Sequence, residues 1–485
     1  MRRKDIVIGQ LLNWALNIDQ GIPVKSFRLL TRFLYSWLKN EIKKLARSPE
    51  HTQSEKVVED LYYMMRAMIQ SALRVRWTRN SLNAFVRSIL LNQDGKKIKE
   101  IWREKYGEGP PGFLVISPTK FCNLSCPNCY ANAATEKDRL EYWIVQRIVK
   151  EARKLWGVRF FVLSGGEPFA YHHEGKGILD LAKEFNDCIF MAYTNGTLIN
   201  EKVAKTLSEI GNLTPAISVE GFAETTDKRR GKGMFERIIK TIERLKKNKV
   251  LFGISLTATR YNCEEILSEE FIDFFFNKMG ASYGWIFHYM PIGRDVEISL
   301  MPTPKQRLWM WERSWEIVKK KGIMLADFWN HGTVSHGCIA GGREGGYFHI
   351  NWHGDVAPCV FFPFAVSNIK EIYARGGNLN DAIRTPFFES VRNWQKRYGF
   401  FSKGNKIEDG DWLRPCPIRD HFLDAKKIIE KYGARPIDYA PHEILEEESY
   451  IKEMVNYDKE LESLTKPIWE KVYINHYKIF QDSQK

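Results

Sequence analysis

The chain has 485 residues, long enough for roughly two to four structural units and a sizeable core. Its eight cysteines, without an apolar signal segment at the start, exclude a secreted disulfide scaffold and suit a reducing, cytoplasmic compartment; no apolar run reaches the length of a membrane span. The formal charge of +14 is concentrated, because residues 1–110 hold 21 Lys and Arg against 11 Asp and Glu, an excess that admits nucleic acid, an anionic membrane surface or an acidic partner.

Residues 1–110 read as a basic helical region. Phe27, Leu30, Phe33, Leu34, Trp37, Leu38, Ile42 and Leu45 recur at helical spacing, interleaved with Lys25, Arg28, Arg32, Lys39, Lys43 and Lys44. A second stretch carries Leu61, Tyr62, Met65, Met68, Ile69, Leu73 and Trp77 beside Arg66, Arg74, Arg76 and Arg79. One reading is a helical cap whose apolar faces pack on the rest of the molecule and whose cations are solvated. The other is a helix resting on a lipid surface, at the inner face of the membrane, where Trp and Arg are favoured. Helices of this type speak against nucleic acid as the partner.

Gly107-Glu-Gly-Pro-Pro-Gly112 marks a boundary. After it strands and helices alternate as in a βα-barrel. Strands are expected at Phe113–Ile116, Phe160–Leu163, Ile189–Tyr193, Ala216–Val219, Leu251–Leu256 and Trp285–Tyr289, with helices such as Glu141–Trp156 and Met234–Lys247 between them. Six units make an α/β fold, a partial (β/α)6 barrel over 111–300, whose chemistry belongs at the C-terminal strand ends. A bridging helix is expected over 301–335, an irregular Gly-, Pro- and aromatic-rich region over 336–422, and charged helices over 423–485, Asp424–Lys431 and Glu443–Glu462 among them.

The loop after the first strand reads Phe-Cys-Asn-Leu-Ser-Cys-Pro-Asn-Cys-Tyr, with Cys122, Cys126 and Cys129 spaced to converge on one soft metal centre. Zinc would need a fourth Cys or His close by, and the run has none. Three thiolates leave one iron of a cubane cluster open. The spacing C-x3-C-x2-C resembles the signature of the radical S-adenosylmethionine (SAM) enzymes. Five further strand ends strengthen the resemblance over residues 113–294. The second ends in Leu-Ser-Gly-Gly-Glu-Pro, where Gly165 and Gly166 admit a close backbone approach and Glu167 offers a carboxylate, similar to the family's GGEP motif that receives the SAM amino group. The third ends at Asn195, a turn former or a pocket residue, and the fourth carries Ser218 and Glu220 at the position that contacts the SAM ribose and carboxylate region. The fifth alternates Ser255, Thr257 and Thr259, of which Thr257 is taken as a SAM contact. The sixth runs His-Tyr-Met-Pro-Ile-Gly-Arg through Met290, where backbone groups hold the adenine. Tyr130 follows the last cysteine at a position often aromatic in the family.

The resemblance implies a [4Fe–4S] cluster whose open iron binds SAM, reductive cleavage to a 5′-deoxyadenosyl radical, and removal of hydrogen from a substrate carbon. It also implies a low-potential electron donor such as ferredoxin or flavodoxin. Cys338, Cys359 and Cys416 lie beyond the barrel. The segment between the first two reads as a strand, a His353-Gly354-Asp355 turn and a strand ending in cysteine, similar to the SPASM/twitch extension of this superfamily. Full SPASM domains have seven cysteines, so three imply one auxiliary [4Fe–4S] cluster in a shortened, twitch-like extension. Its fourth ligand is left open among Asp420, His421, His336, water and a substrate atom. Cys188 and Cys263 match no ligand motif and are expected as buried thiols. The basic, aromatic N-terminal region, with no strand-containing leader-peptide module, favours a membrane-held lipid substrate, with lipid tails joined carbon to carbon as in the lipid-coupling members. Maturation of a ribosomal peptide or protein is the alternative, and a scaffold with a structural cluster is the non-enzymatic one.

Overall fold

The computed structural model describes residues 40, 55–75, 78–85, 87–88, 92–399, 410–440 and 442–474. The aromatic, basic pattern at 27–45 lies outside the described residues, as do Arg76 and Trp77.

Seven parallel strands form the frame: β1 Leu114–Ile116, β2 Phe160–Leu163, β3 Ile189–Thr194, β4 Leu213–Val219, β5 Gly253–Ala258, β6 Gly284–His288 and β7 Leu325–Asp327. Both faces of such a sheet are covered, so its strands are apolar runs rather than alternating ones; β1 is Leu-Val-Ile, buried throughout. The helices that cover it follow the expected periodicity and stop where the chain supplies caps. Tyr142–Trp156 ends at Gly157 with φ +66°, and Glu201–Ile210 starts at Asn200, whose side chain accepts from the Val203 amide.

The six expected strands are present within three residues of their predicted ends. The seventh departs from expectation, since 301–335 is not one bridging helix. A helix over Pro304–Glu316 continues to Lys321, and Gly322 in the left-handed region (φ +61°) ends it. Leu325–Asp327 then pairs with β6, Gly284 opposite Leu325. A three-residue Leu-Ala-Asp strand soon after a helix has no period by which to be called a strand. The last long helix runs over Glu448–Ile468, later than expected.

The extension beyond the barrel joins the same sheet. β8 (His349–Ile350) lies parallel to β1, and β9 (Asp355–Ala357) and β10 (Ser367–Asn368) follow antiparallel, giving the order β10-β9-β8-β1-β2-β3-β4-β5-β6-β7. The hairpin between β8 and β9 turns where expected. The Asn351 side chain accepts from the amides of His353 and Asp355, and Gly354 takes φ +91°. Cys359 therefore stands on a scaffold continuous with the strand that leads to Cys122.

The helix Glu55–Arg74 packs inward. Val57, Met64 and Ala67 are buried against Trp315, Val318, Trp412 and Trp469, and Asp60 accepts hydrogen bonds from Thr333 and Tyr473. This is the capping reading for that helix, although Met68 remains 47% exposed. No described helix is long and apolar enough to cross a membrane.

Candidate functional site

The C-terminal ends of β1–β6 surround a cavity of about 310 Å³. The loop after β1 brings Cys122, Cys126, Cys129 and Tyr130 to it. β2 ends in Gly165, Gly166 and Glu167 there, β3 in Asn195, β4 in Ser218, β5 in Thr257 and β6 in Met290. Residues spread over 168 positions of sequence thus share one wall.

Glycine is required at Gly166. A Cβ there would stand 2.2 Å from the Phe121 carbonyl oxygen, which holds the cysteine loop against the end of β2. The amides of Gly166 and Glu167 bond the Thr119 and Phe121 carbonyls from the same side, at 2.9 and 2.8 Å. The Glu167 carboxylate, fully buried, accepts from the Thr194 hydroxyl (2.7 Å), the Asn195 amide (2.9 Å) and the Phe169 amide (3.1 Å). It clasps β2 to β3. Burial raises its pKa against the pull of those donors. The Asn195 side chain reaches back to Asn123 at 3.0 Å and lies 3.8 Å from the Cys122 sulfur. The Tyr130 hydroxyl meets Ser164 at 2.6 Å.

Glu220 does not line the cavity. Its carboxylate is taken by Arg229 at 2.7 Å and by Arg230 at 2.9 Å, and those two arginines do line it. They escaped sequence reasoning because Lys228-Arg229-Arg230 reads as the solvated end of a helix. Arg294 also escaped it. Its guanidinium bonds the Cys126 and Ala133 carbonyls at 2.9 and 2.8 Å, pinning the cysteine loop to the end of β6. His288 and Asp327 form a buried pair at 2.9 Å that no pattern announced, because β7 was not foreseen.

Burial, aided by Glu167 and the neighbouring thiols, pushes the Cys122 thiol up to about 12, and burial raises Cys126 while Arg230 pulls it down. Among the described residues no three of His, Cys, Asp or Glu stand close enough to hold a single ion. The Leu124 amide lies 3.5 Å from the Cys122 sulfur, the kind of donor that iron–sulfur thiolates accept from.

Cys338, Cys359 and Cys416 also converge: burial raises each thiol, Cys338 and Cys416 raise Cys359 further, and Cys338 raises Cys416. Their sulfurs have donors: the Ala340 amide at 3.5 Å to Cys338, the Phe361 amide at 3.3 Å and the Tyr347 hydroxyl at 2.9 Å to Cys359, and the Trp329 indole to Cys416. Two of the suggested fourth ligands are otherwise engaged. Asp420 is held by Arg307 through two bonds and by Arg419, and His421 bonds the Arg414 carbonyl at 3.0 Å. Ile339 and Val360, next in sequence to Cys338 and Cys359, form part of the cavity wall with Phe361, whose ring lies 5.8 Å from that of Tyr130. Cys188 and Cys263 are buried in the core.

A second chamber, of about 500 Å³, lies at the opposite, N-terminal end of the strands. Met68, Phe85, Leu213, Leu251, Tyr283 and Met324 line it, and Phe160, Met191 and Trp285 are shared with the upper cavity. Lys96, Lys99 and Lys249 stand in its wall, and among the described residues no Asp or Glu does.

The family model of the Radical SAM superfamily matches residues 116–264. The cysteine-type anaerobic sulfatase-maturating enzyme of Clostridium perfringens is 30% identical over 338 residues, 63% of this chain and 88% of that enzyme. The AdoMet-dependent heme synthase of Methanosarcina barkeri is 27% identical over 292 residues, 54% of this chain and 80% of that enzyme. Among solved structures, Streptococcus suis SuiB bound to the precursor peptide SuiA superposes with a TM-score of 0.52 at 20% identity, covering 67% of this chain and 75% of SuiB.

Proposed function

The chain belongs to the radical SAM superfamily, and from that premise we propose that it matures a peptide or protein by taking hydrogen from one of its carbons. Cys122, Cys126 and Cys129 are the residues that would hold the SAM-binding [4Fe–4S] cluster, and Cys338, Cys359 and Cys416 those that would hold an auxiliary one. When bound and reduced, the first cluster and SAM supply a 5′-deoxyadenosyl radical able to attack an unactivated carbon. A low-potential ferredoxin or flavodoxin is the donor such a reduction calls for.

The chain's own contribution is position and a dry wall. Gly165 and Gly166 leave their backbone bare for the methionine part of SAM, and Ser218 and Thr257 offer hydroxyls along the cavity. Arg229 and Arg230 place positive charge where a carboxylate would lie, with Glu220 behind them fixing their direction. Met290 supplies apolar contact at the end of β6. Tyr130, Phe287, Phe328 and Phe361 close the space above and keep water from a reactive carbon radical.

The observation that carries the substrate class is the 30% identity over 88% of an enzyme named for maturing sulfatases. Only the lower chamber favours a second reading, in which the substrate is a lipid. An apolar space that shares Phe160, Met191 and Trp285 with the reaction cavity, with three lysines and, among the described residues, no acid in its wall, fits a hydrocarbon tail under an anionic head. The deciding measurement is mass spectrometry of peptides and lipids from anaerobic hosts expressing active or Cys126→Ala protein. A peptide that changes mass only with active protein is expected. A changed lipid with every peptide unchanged would overturn the peptide reading.

A further inference from the structure

Arg419 lies three residues after Cys416 and is fully buried. Only part of its guanidinium is satisfied. Nε donates to Asp420 at 3.0 Å, but Nη1 and Nη2 donate to nothing among the described residues. Asp420 cannot neutralise it alone, since Arg307 makes bonds of 2.5 and 2.9 Å to the same carboxylate. Two buried cations therefore share one anion. The guanidinium is stacked 4.3 Å over the Trp329 ring, and that ring's indole nitrogen is bonded toward Cys416. Trp329 also stacks on His288, at 5.3 Å between centroids. Neither Trp329 nor Arg419 lines the reaction cavity.

Unmade hydrogen bonds of a buried charged group are expensive. The Trp329 indole on which the guanidinium stacks has no acceptor nitrogen to offer them. Cys416 lies one helical turn before Arg419, and its backbone amide donates at 3.1 Å to the same Asp420 carboxylate that Arg419 bonds. A cubane cluster on three thiolates is anionic and gains a further negative charge on reduction.

We propose that Arg419 is the counter-charge of the auxiliary cluster, its two free nitrogens donating to sulfur on the Cys416 side and favouring the reduced state. Arg419 is a positioning residue here, acting on the potential of the second centre rather than touching substrate. This rests on the reading that Cys338, Cys359 and Cys416 hold that cluster. A purely architectural Arg419, present to complete the Asp420 network, would leave the potential where it was.

The test uses full-length protein with Cys122, Cys126 and Cys129 all changed to Ala, reconstituted anaerobically, in a potentiometric titration followed by electron paramagnetic resonance. This background should hold about four irons. At the potential where it is half reduced, Arg419→Met should lower the ratio of reduced to oxidised cluster about tenfold, equal to about 59 mV for one electron. Arg419→Lys, which keeps the charge, should stay within about threefold of the parent. Should Arg419→Met fail to fold, Arg419→Gln carries the same expectation. An uncharged variant with an unchanged midpoint overturns the proposal, as does a lysine variant that falls as far as the methionine one. A background free of iron overturns instead the premise that the second trio holds a cluster.

Discussion

Replacing Glu167 by Gln separates two roles for this carboxylate. If its work is confined to receiving the SAM amino group, the empty protein should not notice the change. The structure instead shows three of the chain's own donors on it, from Thr194, Asn195 and Phe169. An amide of the same shape keeps one oxygen and turns the other into an NH2 group. With the oxygen facing Thr194 and Phe169, the NH2 is driven against the Asn195 amide, leaving a buried donor unpaired at a cost of roughly 1–3 kcal/mol. The two surviving bonds lose their charge assistance, about 1 kcal/mol together, and relief of a buried charge returns part of this. A net loss of about 2 kcal/mol is expected. Chemical denaturation of the iron-free protein measures it directly, and iron content after reconstitution reports whether the cysteine loop keeps its place, since Glu167 and Cys122 share the Asn195 turn. An iron-free Glu167→Gln protein as stable as the parent, with weaker SAM binding alone, would refute the clasp.

Glu220→Gln should destabilise by roughly 3–5 kcal/mol, because it leaves Arg229 and Arg230 largely buried without their anion; the same denaturation experiment checks it, and SAM affinity should fall with it. The pH dependence has a defined sign at the hairpin turn. His353 lies 3.4 Å from Asp438, whose hydrogen bond raises the imidazole above its ordinary 6.5, while Asp438, buried but bonded by His353 and Trp352, is lowered. The imidazolium's contribution is therefore complete below pH 6.5 and is lost as pH rises through the raised value; the carboxylate's is present above pH 3.8 and is lost as pH falls through the lowered one. His353→Gln should flatten the upper limb of a stability-against-pH profile and shrink the acid limb to what Trp352 and Lys120 sustain.

Local chemistry made much of this molecule readable in one dimension. Cys122, Cys126 and Cys129 sit within eight residues of one another, Gly165-Gly166-Glu167 are adjacent, and short apolar runs at the spacing of a βα repeat announce six strands. Such signals lie inside a single loop or strand end, so no knowledge of packing is needed to see them. The capping helix Glu55–Arg74 is a case where periodicity was legible but its partner was not. An amphipathic face next to basic residues reads equally as a docked helix or a surface one until Trp315, Trp412 and Trp469 are found against it.

Composition, motif spacing and strand order were determined by the sequence itself, and with them the superfamily and the first set of cysteines. Tertiary structure decided what each charged group faces. Glu220 turned from the cavity to two arginines, Glu167 became a clasp, Asp420 was spent on Arg307, and Arg419 was left with two donors in a buried space. The reason is one of range. A strand or a cysteine loop is specified by neighbours a few residues away, whereas the partner of a buried charge here lies anywhere from one to more than a hundred positions off, and only close packing in a low dielectric selects it.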